Sequence, residues 1–377
     1  RDWGCDGAAA EGRGSAADQR LRQRQRQRQR AENDGSGGVG QRRAQRHGGT
    51  AGAECYGGWA EGSGGWAAQV EKGFAWECRQ SPGRDRDDTT WTSREDSGGH
   101  RWFGKEVEES LIKVAEGLGA KGSIYHQDEP LGTAHAILCA KKSLQGNCVV
   151  AFADTLFKAD FTLDNSKDGI IWVSQIDDPS AFGVVKLNKD NTITDFVEKP
   201  QNFVSDLAII GIYYFNDGGY LKNELQYLLD NNIKEKGEYQ LTNALENMKN
   251  KGTKFSPGKV DEWLDCGNKN ATVYTNQRVL EHNGNTISNS SKIEDSEIIK
   301  PCFIGANVVI KNSIIGPHVS IGSNTTIENS VITKSIIQNE TFVKEAILNN
   351  SMIGNKSVFN GNNINQEVSI GDFSEVK

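Results

Sequence analysis

From about Thr286 to the last residue, aliphatic side chains return at six-residue steps, a period that few folds accommodate. Ile298, Ile304 and Ile310 open the series. After one offset it continues at Ile315, Ile321 and Ile327, and Ile353 and Phe359 resume it. Glycine commonly follows, as in Ile304-Gly305, Ile321-Gly322 and Ile353-Gly354. A helix face needs a period near 3.6 and an ordinary strand a period of two, so neither explains the series. Six residues suit one side of a parallel β-helix coil, with each aliphatic pointing inward. The pattern predicts such a solenoid over 286–377, with Ile370-Gly371 in its last coil.

The opposite end of the chain cannot do this. Residues 1–102 hold 16 Arg and one Lys, whereas everything after them holds 25 Lys and one Arg, Arg278. No Ile occurs before Ile112, and Leu21 is the only Leu before Leu111. Without aliphatics this segment writes neither a strand nor a helix face, and it lacks the apolar area that offsets chain ordering. Arg22 to Arg30, RQRQRQRQR, is low complexity. An Arg/Gly tail with interleaved Trp suggests nucleic acid. The segment's net charge is only 17 − 15 = +2, however, and the whole chain's is −7, so a nucleic-acid partner is not expected. The sequence thus divides into 1–102, low complexity and disordered or artefactual; 103–285, an α/β domain; and 286–377, the solenoid. No run of 18 apolar residues occurs, so no membrane span is expected. The seven cysteines are odd in number and free of Cys-x-x-Cys. That argues against a disulfide framework or zinc ribbon and for a reducing, cytoplasmic setting.

Between 103 and 285 the pattern is orderly. Val107, Leu111, Val114 and Leu118 predict one helix face, with Gly119 just past its end. The run from Asn147 to Ala153 predicts a buried central strand with Asp154 at its carboxyl tip. Further strands are expected at 169–176, 182–187, 192–198 and 207–215, and helices at 219–230, 238–250 and 268–282. Thr133 is a candidate cap for a helix whose core face includes Ile137, Ala140 and Leu144. Such alternation predicts an α/β layer with ligands outside the carboxyl ends of its strands.

Six short pieces, in order, carry a resemblance: Gln127 with Pro130-Leu-Gly-Thr-Ala-His-Ala136, Phe152-Ala-Asp-Thr155, Phe182-Gly-Val-Val185, Val197-Glu-Lys-Pro200, Gly211-Ile-Tyr213 and Trp263-Leu-Asp-Cys-Gly267. Over 103–377 the chain resembles the sugar-phosphate nucleotidyltransferases. That implies a Rossmann-like α/β nucleotide-diphospho-sugar transferase domain, truncated at its N-terminus, followed by a left-handed β-helix of hexapeptide repeats. It also implies transfer of a nucleotidyl group from a nucleoside triphosphate to a sugar 1-phosphate, releasing pyrophosphate. Such an in-line transfer needs positioning and charge neutralisation more than a general base, because the attacking phosphate, with a second pKa of about 6, is already largely ionised.

By the same resemblance Asp154 and Asp265 are the ligands of Mg2+. Gln127, Pro130, Leu131, Gly132 and Thr133 read and cover the nucleotide, with Gly132 letting the backbone approach a ring and the following helix start favouring an anion. Glu198 holds sugar hydroxyls, Lys199 meets the sugar's phosphate, and Gly183 lies under the sugar. Alternation along a strand sends Glu198 and Lys199 to opposite faces unless the strand bends near Pro200. Relatives commonly assemble as homo-oligomers through the β-helix.

One part of the pattern is not found. The family's first strand, a Gly-x-Gly-x-Arg phosphate loop and a Pro-Lys element belong upstream of Gln127, yet Thr50 to Gly73 has none of them. Its catalytic Arg and Lys are therefore unassigned, and this chain is expected to be inactive. Two other readings stand beside that one: a non-catalytic paralogue that binds nucleotide-sugars, and a hexapeptide acyltransferase with His318, the only His of the repeats, as base. For His318 the plainer expectation is a surface position on a coil turn.

Overall fold

The computed structural model describes residues 105–159 and 163–377, together with three short upstream strands. In chain order the elements are β1 (Trp66–Ala67), β2 (Ala75–Cys78), β3 (Asp88–Arg94), α1 (Lys105–Gly117), β4 (Lys121–Gln127), α2 (Thr133–Cys139), β5 (Cys148–Phe152), β6 (Thr155–Lys158), β7 (Gly169–Gln175), β8 (Gly183–Leu187), β9 (Ile193–Glu198), β10 (Leu207–Phe215), α3 (Gly218–Asp230), α4 (Leu241–Asn250), β11 (Phe255–Lys259), β12 (Glu262–Asp265) and α5 (Lys269–Asn283). The remainder of 1–102, including the Arg-Gln run, lies outside the described residues.

The main sheet runs β11-β7-β10-β5-β2-β3-β4, with the β8–β9 hairpin branching from β10. It is mixed: β11 is parallel to β7 and β3 to β4, while β10 is antiparallel to both β7 and β5. Strand β10, LAIIGIYYF, is buried on both faces. On one side Ile171, Tyr213, Phe215 and Phe255 pack under Leu221, Leu225 and Leu228 of α3 and Leu241 and Leu245 of α4. On the other, Trp172, Ile210, Ile212 and Tyr214 form a second cluster. Strands β1, β6 and β12 make a separate small sheet.

Strands β2 and β3 come from within 1–102: β2 pairs antiparallel with β5, and β3 pairs parallel with β4. Strand β3 reads DTTWTSR, and Thr and Trp favour extended backbone without any aliphatic residue. In α1 the buried face is Leu111 and Ala115; Val114 and Leu118, expected in the core, are exposed. The helix expected from 238 begins at Leu241, because Glu238 to Gln240 runs extended against the 131–134 backbone.

After α5 the chain winds into three parallel sheets of six, six and five strands, about five turns of a β-solenoid. Ile304, Ile321, Ile337, Ile353 and Ile370 stack at steps of 17, 16, 16 and 17 residues, not 18. The offset seen in the sequence thus recurs in each of these coils. At the corners Asn307, Asn312, Asn324, Asn329 and Asn350, and also Lys334, Glu340, Glu345 and Lys356, take positive φ and turn the chain in a short space. Asparagine tolerates that conformation better than most side chains. The core is Ile, Val and Leu, but hydroxyls line its corners and form ladders. The backbone N–H of Ser330 donates to Ser313 Oγ at 3.0 Å, and that of Ala346 donates to Ser330 Oγ at 3.1 Å. Thr341 N–H likewise donates to Thr325 Oγ1 at 3.2 Å. These amides are thereby satisfied inside the coil.

Ser330→Ala leaves the Ala346 N–H buried without an acceptor, so it should cost about 1–3 kcal/mol, read as a lower urea midpoint for solenoid unfolding.

Candidate active site

The site is assembled from the ends of β5, β9 and β12 and from the chain before α4. Strand β6 pairs antiparallel with β12, placing Asp265 opposite Thr155 and therefore beside Asp154. The Cys266 N–H donates to Asp154 O at 2.8 Å, and the Gly267 N–H to Asp265 Oδ1 at 3.0 Å. A Cβ placed on Gly267 would lie 3.0 Å from Asp265 Oδ1 and 3.5 Å from Asp154 Oδ2, so both carboxylates face the space this glycine leaves open. Two hard oxygen donors around an open space suit Mg2+, which takes one or two carboxylates and keeps water or phosphate oxygens. Among the described residues no third His, Cys, Asp or Glu completes a protein-only cluster. Burial foremost, then these two carboxylates, pushes the neighbouring Cys266 thiol up to about 11.

Glu198 ends β9 directly opposite Gly183 of β8. Its carboxylate is largely buried, accepts a hydrogen bond from Thr242 Oγ1 at 3.0 Å and lies 3.9 Å from Lys199 Nζ. Burial, its largest influence, holds the Glu198 carboxyl above the usual carboxylate range despite the Thr242 hydrogen bond. The alternation problem is resolved by the backbone: Lys199 has φ +41, which breaks the strand and lets two adjacent side chains reach one place. A Cβ on Gly183 would meet Glu198 Oε2 and Thr242 Cγ2, each at 3.2 Å, so the glycine keeps that floor clear. Tyr213 of β10 is buried. Burial first, then the charges of Glu198 and Asp154, raises its phenol well above the ordinary value. A widened register of β10 against β7, between Ile209 and Tyr213, surrounds Gly211 at φ +82. Such bulges re-aim side chains next to sites.

The 127–133 stretch behaves differently from the expectation. Gln127 is 2% exposed, and its Nε2 hydrogen-bonds Gly132 O and His135 Nδ1 at 3.1 and 3.0 Å, so that nitrogen holds the loop in shape. Pro130 is exposed, whereas Leu131 packs on the core. Gly132 has φ +111, and a Cβ there would sit 2.5 Å from Tyr239 O, so the glycine lets the loop approach the Tyr239 backbone. Thr133 does not cap α2. It accepts from the Leu241 N–H at 3.0 Å and so caps α4 from outside. Helix α2 has only seven residues, and its Ala134 N–H is taken by Tyr239 O at 3.0 Å, so its start is committed to protein rather than to an anion. The segment Tyr239 to Thr242, overlooked in the sequence, joins the loop to Glu198. Its signal was the Glu-Tyr-Gln-Leu-Thr run that leads into an amphipathic helix.

The nucleotidyl transferase family model matches residues 105–282, which span both centres. Those residues form a nucleotidyl transferase domain. A glucose-1-phosphate thymidylyltransferase of Streptomyces antibioticus is 28% identical over 261 residues, covering 62% of this chain and 72% of that protein. The bifunctional protein GlmU of Methanococcus vannielii is 27% identical over 277 residues, covering 65% and 64%. A mannose-1-phosphate guanylyltransferase catalytic subunit beta of Drosophila pseudoobscura pseudoobscura is 36% identical over 121 residues, covering 30% and 33%. The chain thus spans less than two thirds of that GlmU and one third of the guanylyltransferase subunit. The nucleotidyl transferase domain ends before the solenoid begins. Among the described residues no helix is long and apolar enough to cross a membrane, and Cys139, Cys148, Cys266 and Cys302 form no disulfide.

Gly132→Ala forces a Cβ onto the Tyr239 backbone and should destabilise the domain by about 1–3 kcal/mol, seen as a lower Tm. Glu198 gives a pH test. Its folded pKa lies above the unfolded value of about 4.3, so the native state holds the extra proton between the two values. Stability therefore falls as pH rises through that window. Glu198→Gln should flatten this dependence and leave the protein at least as stable at neutral pH, measured by urea unfolding at several pH values.

Proposed function

We propose that the nucleotidyl transferase domain is built to join a nucleoside triphosphate to a sugar 1-phosphate, giving a nucleotide-sugar and pyrophosphate. The observation that carries this reading is a pair of side-chain centres within the one domain. Asp154 and Asp265 converge on an open space, and Glu198, Lys199 and Gly183 frame a second one. Asp154 and Asp265 would hold Mg2+, which when bound screens the phosphates brought together there. Glu198 accepts hydrogen bonds from sugar hydroxyls, with Thr242 fixing its carboxylate. Lys199, half exposed beside it, offers an ammonium to the sugar's phosphate. Gly132 and its neighbours shape the nucleotide side, where thymidylyl, uridylyl and guanylyl groups all remain compatible. Glucose 1-phosphate is the sugar favoured by the resemblance.

The same reading holds this chain to be catalytically silent. Transfer needs cationic and N–H donors aimed at the charge that develops on the phosphoryl group. No Pro-Lys dipeptide occurs anywhere in the sequence. The strand beside β5, β2, runs antiparallel to it, pairing Ala75 with Phe152 and Cys78 with Val149. A loop after β2 therefore leaves from the end of the sheet opposite Asp154. Binding without turnover is also what a regulatory paralogue would show. No observation on the solenoid favours the acyltransferase reading over assembly: His318 Nε2 lies 3.2 Å from Glu281 of α5. Assembly through the solenoid rests on the resemblance alone, and these four cysteines without a disulfide fit a reducing cytoplasm.

The purified chain, given Mg2+, a sugar 1-phosphate and each nucleoside triphosphate, should release no pyrophosphate while binding a nucleotide-sugar by calorimetry. Glu198→Gln should weaken that binding by roughly tenfold or more, as expected for a charged hydrogen bond of about 1.5–3 kcal/mol. Rapid pyrophosphate release overturns the silent assignment, and wild-type binding by Glu198→Gln overturns the sugar grip.

A further inference from the structure

Helix α5 is held on one side by the turn that carries Asp265 and on another by the solenoid. Thr275 Oγ1 donates to Asp265 O at 2.8 Å, and Thr272 Oγ1 donates to Cys266 O at 3.1 Å. Glu262, at the start of β12, accepts from Arg278 Nε at 2.8 Å and lies 2.6 Å from His282 Nε2. Burial alone would raise the Glu262 carboxyl, but these partners outweigh it and hold it below its ordinary value. Both ends of β12 are thus fastened to α5.

The solenoid grips the same helix over successive coils. Asn276 Oδ1 accepts from Ser320 Oγ at 2.6 Å, and Val273 packs with Ile336 and Met352. Lys269 donates to Asn350 O at 2.9 Å and pairs with Glu367, while Glu281 pairs with His318. Threonine is a modest helix former, and the Thr275 hydroxyl is spent on the turn rather than on the helix. Packed helices move as units because interiors are dense and deform little.

We propose that Thr275 is a positioning residue for the Asp154–Asp265 pair, and that the solenoid, by fixing α5, sets the divalent-cation affinity of that pair. This rests on the metal reading above. Mn2+ is the probe, its free concentration followed by electron paramagnetic resonance on the full chain. Thr275→Val should bind Mn2+ roughly tenfold more weakly, the scale of outer-shell losses, and Thr275→Ser should restore the affinity. His318→Asn, chosen because asparagine suits the φ of +64 at that corner, should weaken it about threefold by removing the Glu281 pair.

Hydrogen exchange at the Cys266 and Gly267 amides gives a metal-independent readout and should quicken in Thr275→Val and His318→Asn. Wild-type Mn2+ affinity in Thr275→Val, or failure of Thr275→Ser to restore it, overturns the proposal. If the unaltered chain binds no Mn2+, the metal reading falls and takes the affinity claim with it. Quickened exchange in that case still upholds the link from solenoid to turn, and unchanged exchange removes that too.

Discussion

The register of β6 against β12 is the constraint on which the site depends. Asp154 and Asp265 are far apart in sequence and meet only because Thr155 pairs with Asp265 and Leu156 with Leu264. A slip of one residue would send every side chain of β12 to the other face. Leu264 would then leave the interior, where it is 2% exposed, and Asp265 would turn away from Asp154. The hydrophobic requirement at Leu264 and the chemical requirement at Asp265 therefore select the same register. Helix α5 reinforces it, since Glu262 and the Asp265 carbonyl are both bonded to that helix.

How much of this could be read in the sequence differed by element. The solenoid was legible because its period belongs to no helix or flat sheet. Its shortened coils were visible only as an offset, because the left-handed corners fall on Lys334, Glu340 and Glu345 as well as on asparagines and composition does not mark them. Strands β5, β7 and β10 were legible as apolar runs. Asp154, Asp265, Glu198 and Gly183 were legible as motif residues, yet their convergence was not, because it depends on register between distant strands. The Thr133 cap illustrates the limit. A hydroxyl before an apolar run reads as a local cap, whereas here it serves α4, more than a hundred residues away, because Gly132 lets the loop lie on the Tyr239 backbone.

Glu198 shows a cost that sequence patterning would argue against. A carboxylate sits buried in the domain with one hydroxyl and a half-exposed lysine for company. Burying a charge is unfavourable unless partners compensate, and its raised pKa is the signature of incomplete compensation. A glutamine would satisfy Thr242 without that cost. The acid at this position therefore costs the fold stability that a glutamine would not.

The slot beside β5 separates folding from chemistry. A central strand needs neighbours on both edges because its buried N–H and C=O groups must be paired, and that demand is indifferent to what the neighbour's side chains do. Strand β2 meets it with four residues, AWEC, in antiparallel register. Phosphate binding is more exacting, since it requires a strand whose carboxyl end, and the N–H groups after it, open on the same edge as Asp154. With Ala75 opposite Phe152, the carboxyl end of β2 leaves the sheet at Cys78, beside Val149, and not beside Asp154. The backbone can thus complete the sheet and preserve its core with a neighbour of β5 whose direction is the opposite of the one that phosphate binding asks for at that position.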